Sequence, residues 1–273
     1  MKVTHVFSRA IAGYKRNPKF VVPHVVEFAL EAALIVVTAL IVILATLAFL
    51  PSLAMGDLMA LLFGHVPVIL ITLLIFLALL LVILITLFGA AARVAIITMA
   101  QETHTNETTD LGSGLNGVRR FTAGVFLFRV LLGTVFLVMI AIGLVPFVLG
   151  SFFFGIFALI LALLLYLVFY LFAFFTPQFI VTRGVGVIAG IKDSMEFVEK
   201  NFSSVLIYVA VAIAISLGLA LITNVLALTS VFIENQVLEL AFTVFHIIFS
   251  IGLGLVIAPY FDIVKTYMVM EEV

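Results

Sequence analysis

The residues best able to do chemistry in this sequence are a few charges set among apolar neighbours. Glu27 and Glu31 stand one helical turn apart, and His24 precedes Glu27 by three, so all three share one helix face. Arg93, Arg129 and Asp262 lie in three other long apolar stretches. Such a set can pair and fasten helices together. It can pass a proton or a charged solute. It can hold a metal between facing helices, with His246 as a further donor. The metal reading lacks its patterns, because neither Glu-x-x-His nor His-Glu-x-x-His occurs. No metal and no other cofactor is therefore expected.

Other chemistries are poorly represented. With no cysteine, there are no disulfides, thiolate metal sites or cysteine nucleophiles. No Ser/His/Asp arrangement can be defended, so no catalytic residue is assigned. The run from Gly112 through Gly114 to Gly117 spells Gly-x-Gly-x-x-Gly. It follows an apolar helix rather than a strand, so it reads as a loop. Asn224, Thr223, Ser216 and Ser250 read as hydrogen-bonding glue between helices.

The elements that must position these side chains are membrane helices. Of 273 residues, 66% are hydrophobic and 10% are charged. Soluble domains run nearer half and a quarter. Net charge is −1, which gives no footprint for nucleic acid. A span needs about 20 mostly apolar residues, and the stretches at about 21–50, 67–99, 121–149, 152–182, 203–230 and 237–268 qualify. The first apolar run is too long for a cleavable signal and reads as an uncleaved helix. The longest polar stretch, Gln101 to Arg120, is too short for a soluble domain. The expected fold is an all-α integral membrane protein in one membrane domain.

The loops after the first, third and fifth spans hold no Lys or Arg, whereas the opposite side holds nearly all of them. By the positive-inside rule, both termini are expected in the cytoplasm of a multi-pass cell-membrane protein. Pro177 and Pro259, near the inner ends of the fourth and sixth spans, are expected to kink them. Glu27, Glu31 and Arg129 each lie about two turns from the inner boundary. An unpaired charge there costs about 2.5–3.5 kcal/mol or more, so the three are expected to pair, with Arg93 joining.

A short amphipathic segment precedes each odd span. Phe7, Ala10, Ile11 and Tyr14 form one apolar stripe, and Ile188, Ile191, Met195 and Val198 form another. The segment from Leu111 to Val118 is weaker and rich in glycine. Each segment meets a similar junction: Lys15-Arg16-Asn17-Pro18, Arg119-Arg120-Phe121 and Lys200-Asn201-Phe202. Thr176-Pro177-Gln178-Phe179 also matches Ala258-Pro259-Tyr260-Phe261. The expectation is a threefold internal repeat in units of about 1–100, 101–183 and 184–273. Each unit would be a helical hairpin led by a short interfacial helix.

These residues carry a resemblance. Phe7-x-x-Ala10 through Asn17-Pro18, the stretch from Gly190 to Phe202, and Ala258-Pro259 through Thr266 resemble a largely archaeal family of six-span proteins. That family is grouped with the membrane domain of glycerophosphodiester phosphodiesterases. The resemblance implies a six-helix membrane fold. The family's catalytic barrel is a separate soluble domain that these residues do not contain, so that activity is not carried over. The expected partners are membrane lipid and a membrane protein or a second copy of the chain. Transport of a small or amphipathic solute is the alternative, with an intramembrane lipid-modifying enzyme behind it.

Overall fold

The computed structural model describes residues 3–54, 65–230 and 235–272, with the side chains of 48–54, 65–70 and 230 left aside. The outward loops expected near 51–66 and 231–236 therefore lie mostly outside the described residues. Among the described residues every regular element is helical. The first is α1 (Val3–Arg16), followed by a 3-10 turn (Pro18–Val21), α2 (Val22–Ala54) and α3 (His65–Asn106). The middle of the chain forms α4 (Leu111–Val148), α5 (Phe152–Ala173) and the short α6 (Thr176–Arg183). The last three are α7 (Val187–Lys200), α8 (Phe202–Ser230) and α9 (Gln236–Met270). Six helical segments are long and apolar enough to cross a membrane: Pro18–Leu47, Ile71–Asn106, Leu111–Val148, Phe152–Arg183, Phe202–Thr229 and Gln236–Met270. This is the architecture of a multi-pass membrane protein.

The spans show two zones. Along α3 the side chains from Ile71 to Ile83 are largely exposed, while Ala90, Val94, Ile96 and Ile97 are fully buried. In α9 exposure persists to Val256, and Asp262 to Val269 are buried. Exposed Leu, Ile and Phe are what a helix offers to lipid, and in the buried zone the spans are covered by other helices. There α1, α6 and α7 close over the ends of α3, α8 and α9 around Phe20, Phe175, Phe179, Tyr208 and Met268. Within the exposed zone α4 and α5 pack tightly. A Cβ on Gly143 would stand 2.9 Å from the Leu159 Cα, so glycine is needed for that approach. α3 lies against α2, α4 and α9, and α9 also packs on α8. α5 and α8 have almost no direct packing.

Two prolines act differently from one another. Pro177 falls in the first turn of α6, where a missing N–H costs nothing, so it starts a new helix after a break at Phe174–Phe175. Ser194 of α7 spans that break. Its hydroxyl donates to the Phe172 carbonyl at 2.7 Å and accepts the Phe175 N–H at 3.1 Å. Pro259 instead lies inside an unbroken α9. Pro259 has no N–H for the Leu255 carbonyl, and at the next residue the Tyr14 hydroxyl of α1 donates to the Val256 carbonyl at 2.8 Å. Burial pushes the Tyr14 phenol above its ordinary value, which keeps it a donor. Pro146 also lies inside a helix, α4, and was not among the prolines expected to matter.

The three leading segments are not alike. α1 and α7 are separate helices of 14 residues each. Both end on an asparagine whose side chain turns back: Asn17 Nδ2 donates to the Gly13 carbonyl at 3.2 Å, and Asn201 Nδ2 to the Phe197 carbonyl at 3.1 Å. Contrary to expectation, the middle segment is not a separate helix. Leu111 runs unbroken into the third span. Its junction, Arg119-Arg120-Phe121, lacks both the asparagine and the proline that stop a helix.

Candidate functional site

The charged residues gather where the spans leave the exposed zone. Asp262 is the centre. Its Oδ1 meets Lys265 Nζ, one turn on in α9, at 2.6 Å, and its Oδ2 meets Arg93 Nε of α3 at 3.4 Å. Asp262 and Lys265 side chains are each 5% exposed, whereas that of Arg93 is 31% exposed. One carboxylate thus faces two cations. At 3.4 Å the Arg93 contact is longer than a good N–H···O bond, and no hydrogen bond holds its terminal amino groups among the described residues. The Lys265 ammonium also lies 4.7 Å from the Phe174 ring centre, a cation–π distance.

A second group lies on α2, α3 and α4. His24 Nδ1 is 2.5 Å from Glu27 Oε2, while its buried Nε2 has no partner among the described residues. Arg129 Nη1 donates to the Thr86 carbonyl at 3.2 Å. Gly89 lies between them. A Cβ there would overlap Arg129 Nη1 and stand 2.7 Å from Glu27 Oε1. The missing side chain lets a guanidinium from α4 approach a carboxylate from α2 across α3. The expected pairing of Arg129 with Glu27 and Glu31 does not form: among the described residues no ion pair joins Arg129 or Glu31 to a partner, Glu27 pairs with His24, and Arg93 pairs with Asp262 instead. Arg129 still has Arg93, Glu27, Asp262 and Glu31 as charged neighbours. Three cations and three carboxylates form one group.

Lys265 was missed by sequence reasoning, which counted it among the basic residues flanking the last span. The available signal was its place three residues after Asp262. The polar residues expected to glue helices together behave otherwise. Asn224 Nδ2 donates to the Ala220 carbonyl of its own helix at 2.7 Å, and Thr223 Oγ1 to Leu219 at 3.0 Å. Such back-bonding satisfies a polar group without a neighbour. His246 Nε2 and Ser250 Oγ are buried without hydrogen-bond partners among the described residues. Among the described residues no group of three or more His, Asp or Glu is arranged to hold a metal.

Cavities flank the charges on two sides. A cleft of about 740 Å³ opens between α5 and α8, with Leu167, Tyr170, Phe174, Tyr208, Ala212 and Ala220 on its walls. Its inner end adjoins the charge group, since the Lys265 ammonium lies 4.7 Å from the ring centre of Phe174 in its wall. The Tyr208 hydroxyl donates to the Phe261 carbonyl at 3.3 Å. A cavity of about 350 Å³ lies between α2 and α9 and is lined by His24, Glu27 and Glu31. Outside the spans, Arg183 pairs with Asp193 at 3.0 Å and Lys200 with Glu196 at 2.7 Å. Hydrogen bonding within the latter pair holds Glu196 below and Lys200 above their ordinary values. The pair is open to solvent and adds little to stability.

No family model matches this chain, and neither does any curated protein or solved structure. The likeness to glycerophosphodiester phosphodiesterase membrane domains rests on the quoted residues alone.

Proposed function

We propose that this chain is a non-catalytic, multi-pass membrane protein that takes a lipid chain sideways into the cleft between α5 and α8. The carrying observation is the cleft itself. Two neighbouring spans leave about 740 Å³ between them, and apart from two tyrosines and Ser216 its walls are apolar. An aqueous solute gains nothing from such walls, whereas an acyl chain replaces lipid with protein at no cost in hydration. The walls run along α8 from Leu206 to Ala220, about 21 Å at about 1.5 Å per residue.

The reading places both termini in the cytoplasm and α1 and α7 along the inner face of the cell membrane. It also takes α1–α3 and α7–α9 as two copies of one unit. Counting back from Asn17 and Asn201, the pairs Gly13/Phe197, Ala10/Ser194 and Val6/Gly190 are buried at matching steps. A middle unit whose leading helix has fused with its span would complete the threefold pattern.

The test is lipid retention. The protein is purified in neutral detergent, and native mass spectrometry measures bound phospholipid. Ala212→Trp fills the cleft, while Leu137→Trp sits on the exposed face of α4. Wild type and Leu137→Trp retain lipid, and Ala212→Trp loses most of it. Equal retention in all three rejects the reading. Transport of a small cation is the second reading, favoured by the cavity holding His24, Glu27 and Glu31. Proteoliposome flux that disappears in Glu27→Gln would support it.

A further inference from the structure

The cleft leads toward two cations that share one carboxylate. At its inner end lie Tyr170, Phe174 and Tyr208. Against these lies Lys265, 4.7 Å from the Phe174 ring centre, and behind it Arg93, joined to Lys265 through Asp262. The nearest carboxylate, Asp262, is closely held by Lys265 at 2.6 Å. Arg93 makes only the longer 3.4 Å contact, and with 31% of its side chain exposed it is the open member of the trio. A guanidinium with its outer amino groups unengaged has the fork geometry that receives a phosphate. Its depth also fits a headgroup, because Arg93 stands where α3 passes from exposed to buried side chains. An arginine deeper in hydrocarbon would be costly without such a partner.

We infer that the occupant of the cleft is a phospholipid with a net negative headgroup, its chain between α5 and α8 and its phosphate on Arg93. The inference rests on the lipid reading above and adds the headgroup. A free anion would use Arg93 without the apolar walls, and a lipid without phosphate would use the walls without Arg93. A zwitterionic phospholipid brings the same phosphate together with an ammonium that Arg93 and Lys265 repel, so an anionic phospholipid suits the site best. The remaining carboxylates of the charge group, Glu27 and Glu31, flank the other side of it and line the cavity between α2 and α9. The bound headgroup therefore does not face them across the cleft.

The experiment separates headgroup from chain. Full-length protein in neutral detergent is mixed with phosphatidylglycerol, phosphatidylcholine or both, and retained lipid is counted by native mass spectrometry. Wild type prefers phosphatidylglycerol by about tenfold, the order of one charge–charge repulsion between the choline ammonium and the cations. Arg93→Gln brings the preference to within about twofold while still retaining phosphatidylcholine. Folding is expected to survive, since Asp262 keeps Lys265. Arg93→Lys keeps the charge but loses the fork, and its preference falls to an intermediate value. Ala212→Trp loses both lipids. Inorganic phosphate at millimolar concentration leaves retention unchanged. No preference in wild type, or full preference in folded Arg93→Gln, overturns the headgroup assignment but leaves the cleft reading standing. Displacement by inorganic phosphate alone makes this a small-anion site and overturns it too. Unchanged retention in Ala212→Trp removes the cleft reading itself.

Discussion

Asp262 has two cationic partners with unequal exposure, so the consequences of removing each group differ. Asp262→Leu strands Lys265, whose side chain is 5% exposed, beside apolar neighbours. Leaving a buried charge without its partner costs about 3–5 kcal/mol. Adding Lys265→Leu removes the stranded charge and leaves only Arg93, which is partly open. Thermal unfolding in detergent should therefore show the single variant well below wild type and the double variant recovering much of the loss. Additive losses would mean that the two do not act as a pair. Gly89→Ala belongs to the same scale. The new methyl overlaps the Arg129 guanidinium, and such overpacking costs about 1–3 kcal/mol. Arg129→Leu should be far more tolerant of it. That charges occupy the spans was legible in the sequence, because polar residues stand out in apolar runs. Which charges meet was not, since Arg93 and Asp262 are 169 positions apart and come together only through the packing of α3 on α9.

At the scale of elements, the short helices α1 and α7 brace spans weakened by proline. Ser194 both donates to and accepts from the backbone across the break before α6. Ser194→Ala leaves the buried Phe175 N–H and the Phe172 carbonyl without that partner, at a cost of about 1–3 kcal/mol. Tyr14→Phe removes one bond to the Val256 carbonyl and should cost less, about 1 kcal/mol. The two can be ranked by melting temperature, with Ser194→Ala the lower. If both match wild type, the hydroxyls are incidental and packing alone holds the short helices. That α1 and α7 are short helices was readable from period; the face that packs was not, since Ile11, Ile188 and Met195 of the expected stripes are exposed while Val6, Gly13, Gly190 and Ser194 are buried. Fusion of Leu111–Val118 with α4 was readable only in hindsight, from the missing junction asparagine. The hydroxyl braces were not readable, because nothing local marks Ser194 or Tyr14 as facing a broken turn in another span.

For the whole molecule, the question is which end faces the cytoplasm. Ion pairs bring the polar ends together: Arg9 with Glu271 at 3.1 Å, Arg16 with Glu107 at 2.9 Å and Arg183 with Asp193 at 3.0 Å. They tie the outer ends of α1, α3, α6, α7 and α9 into one face. The turn between α4 and α5, at Leu149 to Ser151, lies at the other end of 38-residue α4 and carries no charge. Basic residues retained on one side orient a helical membrane protein with that side inward. The absence of cysteine makes the test clean, since a single introduced cysteine is the only thiol. Lys192 is exposed on α7, and Ser151 is half-buried in the opposite turn. In intact cells an impermeant maleimide should label Ser151→Cys and leave Lys192→Cys unlabelled until the membrane is opened. Labelling of Lys192→Cys from outside would invert the molecule. It would also place Arg93 at the outer leaflet, so the anionic lipid would have to come from there.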